Sequence, residues 1–97
     1  MRTLTHVDEF RREAQNALFT KQQAISVTLR LLELEKNSQD NTPQESAVLE
    51  QAMQKAEFRY IDQTKTETDR MLDECGVARI TAQDIIEAIN ALLFDVQ

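Results

Sequence analysis

The side chains that could carry chemistry are few, and their spacing argues against most of it. His6 is the single histidine of the 97 residues. Asp8 and Glu9 stand near it, but a carboxylate-bridged di-metal bundle needs a Glu-x-x-His pair on two helices, and that spacing never occurs. Cys75 is the single cysteine, which excludes an intrachain disulfide and a cysteine metal cluster. It follows Asp73 and Glu74 at the end of a helical pattern, where carboxylates and the negative end of the helix dipole disfavour a thiolate. Glu33 with Glu35, and Glu67 with Asp69, are two apart and do not face each other on a helix. A Ser–His–Asp or Cys–His arrangement would have to use His6, and nothing positions it. One glycine leaves no loop to cradle a phosphate. The expectation is a non-catalytic protein without metal or cofactor.

One cluster is more open. Thr64 and Thr68 continue an apolar stripe that runs from Tyr60 to Met71. Pointing inward beside Tyr60 they would make a polar notch. With Arg59 it could line a small-ligand pocket, or it could hold water and set register.

The elements that must position these residues are helices. A domain of this size would normally carry about seven glycines and five prolines. Here there is one of each, and both sit at helix boundaries. Apolar residues recur at helical spacing through Val7, Phe10, Ala14, Ala17, Leu18, Ile25, Leu29 and Leu32, which predicts a first helix over about 5–37. Thr5 with Asp8 reads as its N-cap pair. Thr42-Pro43-Gln44-Glu45 is a capping box with proline at the first helical position. It opens a second helix over about 43–75, with a break near 62–66 as the alternative, because that stretch has no hydrophobic residue. Gly76 supplies a left-handed C-cap with Val77 as its apolar partner. Thr81 and Asp84 cap a third helix over about 82–95, apolar on most of its circumference and hence buried on more than one side.

The predicted fold is all-α and a single domain: a long antiparallel hairpin plus a short third helix. The second helix would be a rod about 50 Å long, of which the third covers about 21 Å. It would lie over the open end of the hairpin, leaving Ile25, Leu29, Leu32, Val48, Leu49, Met53 and Ala56 uncovered at the far end. Each large apolar side chain left in water forgoes roughly 1.5–3 kcal/mol. A second copy of the chain, or an amphipathic helix of a partner protein, is the expected cover.

The net charge is −6, which disfavours a nucleic-acid partner. Residues 42–76 carry four basic against eight acidic side chains, so a basic partner would be steered to the second helix. There is no signal-peptide pattern and no membrane-spanning run, and a lone cysteine suits a reducing cytoplasm.

The segment Ala78-Arg79-Ile80-Thr81-Ala82-Gln83-Asp84-Ile85 resembles the second loop and third helix of histone-fold proteins, where a short extended link, a threonine and an aspartate precede a short helix. The resemblance implies an acidic dimerisation subunit rather than one that wraps DNA. The histone fold has a short first helix, whereas the pattern here runs about 33 residues. In shape, small acidic hairpins are also similar to secretion chaperones, which shield a partner's amphipathic helix. The functional expectation is an interaction protein of the adaptor or chaperone kind. The alternative is a small-molecule sensor built on Arg59, Tyr60, Thr64 and Thr68.

Overall fold

A computed structural model describes residues 4–38, 41–62 and 66–95. It is mostly helical, in the order α1 (Thr5–Glu13), β1 (Leu18–Phe19), α2 (Lys21–Lys36), α3 (Pro43–Asp62), α4 (Glu67–Glu74), β2 (Ile80–Thr81) and α5 (Ala82–Asp95). The strands form an antiparallel two-stranded ladder with Leu18 opposite Thr81 and Phe19 opposite Ile80.

The expected first helix is two helices and a strand. The physical reason lies at Thr20. Its side chain accepts a hydrogen bond from the Gln23 N–H at 3.1 Å, and the Gln23 side chain accepts from the Thr20 N–H at 3.0 Å. This capping box starts a new helix where a continuous one would bury nothing polar. Phe19 leaves the helical path, stacks its ring at a tilt on Phe10 with centroids 5.8 Å apart, and accepts from the Arg79 N–H at 3.0 Å. The chain thereby folds α1 back along α2. The start of α1 meets the end of α2, where the buried Glu35 carboxylate accepts from the His6 N–H at 3.0 Å. The N-cap position of α1 is Leu4, which offers no side-chain acceptor. Glu35 therefore supplies from another helix the capping that Thr5 with Asp8 was expected to supply.

The expected second helix is described as α3 and α4, with Thr66 in an extended conformation ahead of α4; residues 63–65, where the alternative break near 62–66 falls, lie outside the described residues. Thr66 opens α4 by accepting from the Asp69 N–H at 3.0 Å. Thr42 and Glu45 form the reciprocal pair that opens α3, at 3.1 and 3.2 Å. Thr81 and Asp84 form the pair that opens α5, both at 3.1 Å. Gly76 has φ of 69°. Its N–H donates to the Asp73 carbonyl at 3.1 Å, and the Val77 N–H donates to the Leu72 carbonyl at 3.0 Å. That is a complete Schellman closure of α4.

With both long helices broken, no 50 Å rod exists, and the chain spans 42 × 26 × 16 Å. The core sits between α2, α3 and α5, with α1 packed on α2 and α5. Ile85, Ile86, Ala88, Ile89, Leu92 and Leu93 of α5 are buried against Leu31 and Leu32 of α2 and Leu49, Ala52, Ala56 and Tyr60 of α3. The short third helix covers the hairpin that was expected to lie open.

Candidate functional site

The expected interface divides on this packing. Leu32, Leu49 and Ala56 are fully buried within the chain, so they offer no surface. Their burial comes from the α2–α3 seam together with α1, which packs on α2 and α5, and with α5, which packs on both α2 and α3. Ile25, Leu29, Val48 and Met53 are half-buried and pack against the same core. Of these four, Ile25 also lines a groove.

Of the four residues of the expected pocket, three lie within the described residues. Tyr60 is 1% exposed, and its hydroxyl is 2.7 Å from the Thr28 hydroxyl. The pair is a satisfied core contact between α3 and α2. Burial raises the Tyr60 phenol above its ordinary value of 10, with the Thr28 hydrogen bond and the Arg59 charge opposing that rise and Asp84 adding to it. Thr68 is exposed on α4, Arg59 is half-buried on α3, and Thr64 lies outside the described residues.

Two grooves flank the first two turns of α2. One groove, of about 550 Å³, is lined by Leu18 and Phe19 of β1 and by Gln22, Gln23, Ser26 and Val27 of α2. A second, of about 440 Å³, is lined by Lys21, Gln22 and Ile25 of α2, Glu57 of α3, and Arg70, Asp73 and Glu74 of α4. Gln22 lines both, so the two flank one helix and meet across it. The Thr20 capping box stands between the strand and the first turn of α2 that line these grooves. Leu18 is 55% exposed at the strand.

Charge sits on the α4 side. Asp73, only 9% exposed, lies 2.7 Å from the Arg79 guanidinium and 4.0 Å from the Lys21 ammonium. Asp69, one turn earlier, lies 3.8 Å from Arg79. Arg70 pairs with Glu67 within α4. The carboxylates of Glu57 and Glu74 reach solvent at the rim.

These residues carried readable signals. Thr20 and Gln23 have capping-box spacing, and Asp69 and Asp73 have the i, i+4 spacing of one helix face. Both patterns fell inside segments read as continuous helix. Neither loop carries the alternating acidic residues that a calcium loop needs: residues 14–20 contain no carboxylate, and 76–79 are Gly, Val, Ala and Arg. Among the described residues no helix is long and apolar enough to cross a membrane. No protein-family model, curated protein or solved structure matches the chain. The likeness to histone-fold proteins is confined to the link and cap at 78–85, since helices of 16 and 20 residues precede it.

Proposed function

We propose that this chain is a non-catalytic association protein that seats an amphipathic helix of a partner protein along α2. The observation that carries the reading is the pair of grooves meeting at Gln22, apolar at Leu18, Phe19, Val27 and Ile25. Helix-in-groove recognition needs such an apolar floor with a polar rim. The rim favours a partner with basic residues on the α4 side, because Glu57, Asp73 and Glu74 outnumber Lys21 and Arg70 there. The net charge of −6 acts in the same sense at longer range.

The test uses two synthetic amphipathic helices of equal length, one of leucine and lysine, the other of leucine and glutamate. Titrated into the isotope-labelled protein, the lysine peptide is expected to shift the amide resonances of Gln22, Ile25 and Glu74, and the glutamate peptide is not. Equal responses to both, or shifts that avoid α2, would overturn the reading.

Self-association is the second reading. It is favoured by Phe94, which is 79% exposed in the last turn of α5. A dimer of two chains would bury it, and with it roughly 1.5–3 kcal/mol per side chain.

A further inference from the structure

The geometry points to α4 as a lid over the second groove, latched by ion pairs rather than by a packed core; this rests on the docking reading above. Among the described residues α4 contributes no buried side chain. Leu72 is half-buried and Met71 is exposed, so its apolar hold is slight. Both ends of the helix close on themselves, through the Thr66 cap and the Schellman turn at Gly76. An element capped in this way keeps its helical hydrogen bonds when it shifts as a body.

The latch is a small set of charges. Asp69 and Asp73 share one face of α4 and bracket the Arg79 guanidinium. Arg79 is fixed to the body of the protein, because its own N–H donates to the Phe19 carbonyl. Lys21, the first residue of α2, stands on the other side of Asp73. Asp73 and Lys21 also line the groove, with Ile25 beside them. The residues that hold the lid are thus residues a basic partner would touch. A lysine or arginine of that partner competes with Arg79 and Lys21 for Asp73, and its arrival releases α4 and uncovers Ile25.

A latch of partly exposed charges opens with salt, as screening weakens each pair. The experiment reads the lid with no partner present. A nitroxide is attached at Thr68→Cys in a Cys75→Ser background, and its relaxation effect is read on the amides of Gln22 and Ile25. In low salt these amides are expected to be strongly broadened. The broadening is expected to fall in the Asp69→Asn/Asp73→Asn variant, and in the unsubstituted latch at about 1 M salt, where the Debye length is roughly 3 Å. Unchanged resonances of Ile85 to Ile89 in α5 report that the core is intact. Should the double variant fail to fold, the salt series alone decides. Broadening that persists at high salt, with the core intact, would overturn the lid. The lysine peptide can fail to bind while the lid still opens with salt, and the lid can stay shut while the peptide binds, so the two readings fail separately.

Discussion

Single residues fix where the helices of this protein meet. Tyr60 and Thr28 satisfy each other's hydroxyls in the core, and Tyr60 is the only tyrosine in a chain without tryptophan. Its ionisation can therefore be followed alone, by tyrosinate absorbance. Burial holds the phenol proton, so the folded chain titrates above 10 while the unfolded chain titrates near 10. The sign follows from linkage. The folded state binds the proton more tightly, so this contribution to stability is whole below pH 10 and is lost as pH rises through the folded value. Stability is expected to fall in that window, with the absorbance midpoint above 10. Thr28→Val removes a hydrogen bond that lowers the value, so the midpoint is expected to move higher still. Loss of that hydrogen bond is expected to cost about 0.5–1.5 kcal/mol, measurable by denaturant unfolding. A midpoint at 10 in the folded wild-type chain would contradict the burial of this ring.

At the scale of elements, the caps that stand at a break in the apolar pattern were readable, Thr81 with Asp84 among them, and the cap inside a continuous pattern was not. Thr42 with Pro43, and Gly76 with Val77, announce themselves, because proline and glycine have few other uses in a helical chain. Thr20 with Gln23 has the same physics but sits inside a run whose apolar spacing continues smoothly from Phe10 through Leu18 to Ile25. Periodicity alone could not show that Leu18 and Phe19 would be spent on a ladder with Thr81 and Ile80, far along the chain. That long-range pairing and the Thr20 cap coincide at the break, and the grooves line the start of α2 that follows it. The apolar face of α5 was readable as doubly buried, but not which helices it would cover. Thr20→Ala is expected to cost about 1 kcal/mol, similar to Thr42→Ala. It is expected to raise amide exchange at Gln23, whose N–H loses its acceptor. Full retention of both stability and Gln23 protection would show that the strand pairing, not the cap, sets the boundary.

At the scale of the whole molecule, charge separates the two modes of association. Burial of Leu32, Leu49 and Ala56 within the chain takes three residues from the hairpin end that first argued for a second copy. Among the exposed large apolar side chains, Phe94 on α5 and Phe58 on α3 are the most exposed candidates for self-association, and Phe94 is far in sequence from the groove residues of α2. Two chains each carrying −6 repel, and added salt screens that repulsion. A dimer would therefore grow with salt. A complex with a basic helix behaves oppositely, because salt weakens the attraction that steers and holds it. Light scattering across protein concentration and salt, beside the lysine-peptide titration at the same salts, reads both trends in one protein. The expected outcome is a monomer mass throughout and a peptide affinity that falls with salt. A dimer that strengthens with salt and is lost in Phe94→Ser would transfer the function to the α5 surface, and the groove along α2 would then be a feature of the fold rather than its purpose.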